Sequence, residues 1–283
     1  MSGLDRRDFL AGTLAAGGAG ALALPASAAA AARPNGIGAP IATGRSRNTL
    51  GKILYIGPDK NERGREWFGI TYRPDTQITL RAYNEIDDTR VERDVVQTMR
   101  SDYSPLDCFV RLHVNGRFLG TGWVRISDTE AECEVYSAVM GRASQKVPLT
   151  ERVRGIVTHP VSADALLLPA FDHSKPEQLQ TVPGGLSVSP LPDGGSGPFL
   201  NAPTGQTRQF EYIGPEKVVT AAGTFDTHHY SFGPRAKPGE RAYEVWCTHP
   251  DYIFVKGEVR HYLSKTKDGY GTYELVELDR SAS

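Results

Sequence analysis

The chain has neither of the loops that cradle a nucleotide. No Gly-x-x-x-x-Gly-Lys-Ser/Thr occurs, and no Gly-x-Gly-x-x-Gly sits between a strand pattern and a helix pattern. No Gly-x-Ser-x-Gly elbow presents a nucleophilic serine. Charge of one sign is not in excess, with 32 Lys plus Arg against 33 Asp plus Glu. That balance removes the electrostatic case for nucleic acid or an anionic membrane surface as a partner. Cysteine is scarce: Cys108, Cys133 and Cys247 are the three, and their spacing fits no zinc motif. An odd count leaves at least one thiol unpaired. The alternatives are one Cys108–Cys133 disulfide across neighbouring strands or three buried small side chains. After Leu24 no run is long and apolar enough to span a bilayer, which takes ~20 residues. No segment carries a sustained helical period.

What is abundant is Gly (30), Pro (19) and Tyr (12), a composition of turns and strands. From residue 52 the apolar period is two. Strands are expected at 52–56, 67–72, 77–84, 131–139, 209–213, 217–221, 224–232, 242–248, 252–263 and 271–278, with 148–157 as a possible continuation. With the hairpin described below, the total is roughly eleven or twelve strands, the spacing of a sandwich or barrel. Residues 159–208 are punctuated by eight prolines and by Gly184-Gly185 and Asp193-Gly194-Gly195. A structureless loop of that length is improbable in a compact domain, so Ala165–Phe171 is expected to pack as its own element and the rest to lie over the sheet as a flap.

The N-terminus carries an address. Arg6-Arg7-Asp8-Phe9-Leu10 precedes an uncharged Ala/Gly/Leu run to Leu24, which ends in Pro25-Ala26-Ser27-Ala28. This resembles a bacterial twin-arginine export signal, with Asp5 and Ala11 departing from its usual flanks. The resemblance implies a signal peptide over 1–28, delivery to the periplasm, and no stable membrane span after cleavage. Residues 29–47 then read as a disordered spacer, and 48–280 as one large all-β domain. Leu54-Tyr55-Ile56-Gly57-Pro58-Asp59-Lys60 echoes Glu211-Tyr212-Ile213-Gly214-Pro215-Glu216-Lys217. Two half-barrels, 48–158 and 209–280 joined by the flap, are one reading of the echo, and coincidence in turn-forming sequence is the other.

The sharpest local signal is Asn115-Gly116 between alternating strands, the mark of a two-residue hairpin with positive φ at both turn residues. A two-residue turn fixes the register, so Val114 is expected opposite Arg117, Arg111 opposite Gly120 and Phe109 opposite Gly122. One face would then carry Cys108, Val110, Leu112, Val114, Leu119 and Trp123. The other would carry Phe109, Arg111, His113, Phe118, Val124 and Ile126. Both are largely apolar, so neither is plainly the solvent side.

Between Phe210 and Leu263 the chain is similar to a known family. Tyr212-Ile213-Gly214-Pro215-Glu216, then Ala222-Gly223-Thr224-Phe225-Asp226-Thr227, then Tyr243-Glu244-Val245-Trp246 resemble an exported Gram-negative family of unknown function. The resemblance implies a curved antiparallel sheet closing into a lipocalin-like barrel or β-roll with an apolar interior. It implies no catalytic residues.

Arg111 and His113 share a strand face with Phe109 and Phe118. An arginine on an aromatic face clamps a carboxylate, and a neighbouring histidine moves a proton near neutral pH. The same residues are equally those of a solvated outer face. His228 and His229 fall on opposite faces of one strand, so only one looks inward. Zinc would require His249 or His261 to converge on one of them, and no local His pair supports it. His261 is in period with Val255, Val259 and Leu263 and is expected to face inward. Trp246 and Tyr243 take opposite faces. Asp94 beside Arg93, and Asp164 near His159, read as a solvated ion pair or turn caps.

Two functions are compatible with these residues. One is an exported β-barrel binding an apolar or aromatic small molecule, lined by Arg111, Phe109, Phe118, Trp123, Tyr136 and Trp246. The other is a cofactor-independent lyase, isomerase or decarboxylase acting on an aromatic acid, with Arg111 as clamp and His113, His229 and His261 as proton carriers. Neither reading calls for a metal or an organic cofactor.

Overall fold

The computed structural model describes residues 44–138, 141–188, 200, 206–236, 242–260 and 270–282. The segments read above as signal peptide and most of the spacer, and His261, lie outside the described residues. Eight strands follow one another as an antiparallel meander: β1 (Arg47–Ile56), β2 (Glu62–Tyr72), β3 (Ile78–Ile86), β4 (Val91–Met99), β5 (Pro105–Val114), β6 (Arg117–Ile126), β7 (Glu130–Ser137) and β8 (Gly141–Pro148). A short β9 (Gly155–Val157) precedes helix α1 (Val161–Ala165) and a 3-10 turn, Leu168–Ala170. Then come β10 (Leu179–Ser187), β11 (Gln206–Thr220), β12 (Gly223–Phe232), β13 (Ala242–Cys247), β14 (Phe254–Arg260) and β15 (Tyr270–Ala282). β15 returns to pair with β1, so the chain's first and last strands are neighbours in mid-sheet and β8 and β9 are its edges. Only the β9–β10 step is parallel.

The period-two reading holds because one face of most strands is buried. β4 went unread for a physical reason. Its buried positions are Val91, Arg93, Val95, Gln97 and Met99, so two polar residues interrupt the apolar alternation. Arg93 is therefore not a solvated partner of Asp94 but an interior group. The segments 209–213 and 217–221 are one strand, β11. Gly214-Pro215 sits inside it, and the register against β12 shifts between Tyr212 and Gly214. A bulge is where a sheet tolerates a proline. The first copy of the echo instead ends at a turn, where the Gly57 amide bonds the Asn61 carbonyl.

The sheet is curved, and its ladder does not close. Its two ends meet through side chains: Val95, Cys108, Val110 and Val124 from one end share a core with Ile156, Leu186 and Val188 from the other. The Gln145 amide donates to the Leu200 carbonyl (3.2 Å) and accepts from the Leu200 amide (2.9 Å), and the Thr158 hydroxyl donates to Gln97 (3.3 Å). All three cysteines are buried, and none is in a disulfide. Cys108 and Cys133 both register with Val124, so β6 separates them. Two strand spacings, about 9–10 Å, exceed the reach of a disulfide.

The Pro-rich segment resolves into a strand, β10, and an interior plug. Ala165, Leu166, Leu167 and Leu168 are buried against Ile53, Phe68 and Ile70 on one wall and Tyr230, Val245 and Phe254 on the other. Two carboxylates hold the plug. Glu66 on β2 accepts the amides of Val161 (2.9 Å) and Ser162 (3.1 Å), which a helix start leaves without partners, and also the Tyr55 hydroxyl. Asp164 on α1 accepts the Tyr243 hydroxyl of β13 at 2.7 Å, so it is not a turn cap. Burial raises the Glu66 pKa against the pull of its hydrogen bonds. Burial likewise pushes Asp164 up to about 7, and lowers Arg93 to about 10. Asn84 is fully buried in register between Glu66 and Arg93.

Glu66→Ala leaves three buried donors unpaired and is expected to cost about 3–5 kcal/mol. Glu66→Gln keeps an acceptor and should cost less than half of that, read from urea unfolding midpoints. Asp164 carries a pH signature. Its folded pKa of about 7 lies above the ordinary value of about 3.9. Its contribution is therefore fully present below about pH 4 and is lost as pH rises through about 7. Asp164→Asn should lose that dependence, so that wild-type stability declines relative to the variant across this window and stays level above it.

Candidate functional site

The first hairpin turns where expected, with φ of 54° at Asn115 and 69° at Gly116, and Val114 faces Arg117. A bulge between Leu112 and His113 then moves the register by one. Arg111 faces Thr121 instead of Gly120, and Phe109 faces Trp123 instead of Gly122. A one-residue slip exchanges the faces of a strand. Val124 and Ile126 accordingly join Cys108, Val110 and Leu112 in the core, while Trp123 joins Phe109 and Arg111 outside.

Several residues expected to bind a ligand do gather, but on the outer face. Phe109, Trp123 and Tyr136 line a shallow depression of about 310 Å³, with Glu134 and Arg142 at its rim. Trp123 is 43% and Tyr136 56% exposed. Phe118 stacks on Tyr136 at 6.2 Å and meets His113 edge-on at 5.6 Å. Arg111 is exposed, so it and His113 do not form an enclosed clamp.

His229 on β12 and Trp246 on β13 meet elsewhere, eight and seven places from β5 in the sheet order. Their rings stack at 3.9 Å. The His229 nitrogens face two carboxylates, Nδ1 to Glu216 at 3.3 Å and Nε2 to Glu244 at 3.0 Å. The Trp246 indole donates to Glu216 at 2.7 Å, Arg260 pairs with Glu244 at 3.0 Å, and the Lys256 ammonium lies 4.8 Å over the Trp246 ring. The hydrogen bond and charge of His229, with Arg260 adding to them, hold Glu244 below the usual carboxylate range despite its burial. With both nitrogens engaged and its ring covered, His229 has no free atom for a ligand.

A more voluminous open space than the outer depression lies at one end of the roll. Antiparallel strands alternate direction, so the start of β1, the end of β2, the start of β3, the start of β12 and the end of β15 all reach the same rim. There, with the β4–β5 and β13–β14 turns, they border an open cavity of about 660 Å³. Tyr72, Tyr103, Phe225 and His249 supply its aromatic surface, and Arg47, Arg73 and Arg280 its cations. The Arg47 guanidinium lies 4.2 Å over the Tyr72 ring. Tyr72 and Tyr103 donate to the carbonyls of Asp251 (3.0 Å) and Pro250 (3.4 Å), which pins the turn carrying His249. Burial and the Asp251 charge push Tyr72 up to about 12.

Behind His249 stand two more imidazoles. His228 stacks on it at 4.7 Å and 12°, and His173 lies 5.6 Å from His228 and 6.0 Å from His249. His173 Nε2 is 2.7 Å from the Tyr230 hydroxyl. Burial, then the His249 charge, lowers the pKa of both His173 and His228. His249 thus does converge on His228. Parallel stacked rings, however, cannot aim in-plane lone pairs at one ion, and among the described residues no group of three or more His, Cys, Asp or Glu is arranged to hold a metal. His173 lies in the Pro-rich stretch, where no periodicity marks an inward side chain, and nothing in the sequence joins it to His228.

No family model matches the chain, and no curated protein matches it. Among solved structures, a beta-barrel-like protein of a domain of unknown function, DUF1849, from Brucella abortus is similar at 9% identity and a TM-score of 0.49, over 84% of this chain and 98% of that one. A protein with a YmcC-like fold from Bacteroides fragilis is similar at 10% identity and a TM-score of 0.35, over 82% of this chain and 95% of that one. Among the described residues no helix is long and apolar enough to cross a membrane.

The His229–Glu244–Arg260 network yields a second pH signature, opposite in sign to that of Asp164. A depressed carboxylate contributes stability above its unfolded pKa of about 4.3 and loses it as pH falls through the folded value. Glu244→Gln is expected to be less stable by about 1–3 kcal/mol at neutral pH. The deficit should shrink as thermal melts are repeated at successively lower pH below about 4.

Proposed function

We propose that this is an exported binding protein that takes a small molecule with an aromatic or apolar body into the cavity at the mouth of the roll. The observation that carries the reading is the cavity itself. Its volume falls in the range of small-molecule sites, roughly 300–1,000 Å³, and its aromatic walls are held in place by hydrogen bonds. The barrel interior is not the site, because the plug fills it. Export rests on the Arg6-Arg7 signal, and a periplasmic location follows from it. The outer depression around Phe109, Trp123 and Tyr136 is a subsidiary contact surface in this reading, too open to enclose a ligand. Proton transfer on an aromatic acid would need Arg111 and a histidine in one enclosed pocket. Arg111 on the exposed face and His229 between two carboxylates do not provide that.

The test fills the cavity. Ser101 lines it from an exposed turn, so Ser101→Trp should occlude it without disturbing the core. Incubated with a panel of small aromatic compounds and analysed by native mass spectrometry, the wild-type protein should retain at least one compound. Ser101→Trp should weaken that retention by about tenfold or more, or about 1.4 kcal/mol. Retention that the substitution leaves unchanged would place binding elsewhere and sink the proposal.

A further inference from the structure

We infer that the ligand of the mouth cavity is an organic anion, an aromatic or apolar body bearing a carboxylate or a comparable acidic group. This inference rests on the cavity reading above and adds the ligand's charge. Five charged side chains line the cavity: Arg47, Arg73, Arg280, Asp226 and Asp251. Both carboxylates are already engaged. Asp251 pairs with Arg280 at 3.4 Å and accepts the Thr248 hydroxyl, and Asp226 pairs with Lys217 at 3.0 Å. Among the described residues no carboxylate pairs with Arg47 or Arg73, so two guanidiniums remain for a ligand.

Arg47 is also held in place. Its guanidinium carbon lies 4.2 Å over the Tyr72 ring. A guanidinium carries its N–H donors in a planar fork that matches a carboxylate edge-on. Charge-assisted pairs of this kind are roughly twice as strong as neutral hydrogen bonds. Tyr103, Phe225 and His249 present ring surface to the body attached to the acid. A neutral ligand would use these walls but leave both guanidiniums without a counter-charge. A cationic ligand would meet like charge, since the acidic groups are spoken for.

The experiment compares naphthoate with its uncharged near-isostere naphthamide, by calorimetric titration of the full-length protein in low salt. The expected result is that naphthoate binds at least about tenfold more tightly than naphthamide, and that added salt weakens the acid alone. Arg47→Gln and Arg73→Gln together should remove the preference while the far-UV circular dichroism spectrum stays that of the folded wild type. Ser101→Trp should abolish binding of both compounds. Equal binding of acid and amide, both lost in Ser101→Trp, overturns the anion class and leaves the cavity reading standing. A preference for the acid that survives the paired arginine substitutions also overturns it, because the acid is then held elsewhere. Binding of neither compound overturns both readings.

Discussion

Everything inside this roll is arranged around the buried carboxylate of Glu66. A carboxylate taken out of water is tolerable only where donors replace its hydration. Glu66 has three: the first two amides of a helix and a tyrosine hydroxyl. The exchange is reciprocal, because a helix start buried without acceptors is itself costly. The Pro-rich segment therefore dives into the roll, and its apolar run Ala165–Leu168 fills space that the strands alone would leave empty. Asp164, bonded to Tyr243, ties the same plug to the opposite wall. One short helix thus bridges the meander of the first half and the strands of the second.

The proposed function follows from that filling. With the interior occupied, the proposed ligand would be met at the mouth, where strand ends bring aromatic rings and guanidiniums to one rim. The two imidazoles behind His249, His228 and His173, pack against it and support the wall. On the opposite face of β12, His229 is locked between Glu216 and Glu244. Histidines on adjacent positions of one strand therefore take unrelated roles, one against the cavity wall and one in an outer ion-pair network.

Much of the fold was legible in the sequence, and the gaps have specific causes. Strands with unbroken alternation, such as 67–72 and 224–232, announced themselves. β4 did not, because Arg93 and Gln97 occupy buried positions that pattern reading assigns to apolar residues. β10 did not, because Pro183 and Gly184-Gly185 read as turn. Of the candidate site, the aromatic residues Phe109, Phe118, Trp123 and Tyr136 were named, but which side of the sheet they occupy was left open and Trp123 was expected on the face opposite Phe109. A single bulge at Leu112–His113 decides that, and a bulge leaves no signature in hydrophobic period. The cavity residues were not named as a site, because they come from strand ends and turns far apart in the chain.

The sequence by itself determined the all-β class, the Asn115-Gly116 turn and the absence of any nucleotide loop. Each of these depends on local sterics or on residues adjacent in the chain. Only the tertiary structure decided which face of each strand is inner, where the Pro-rich segment goes, and which charges remain unpaired at the mouth. Those outcomes depend on register shifts and on which buried donor finds which acceptor. Partners such as Glu66 and Val161, or Asp164 and Tyr243, are fixed by the packing of the whole roll and not by their spacing along the chain.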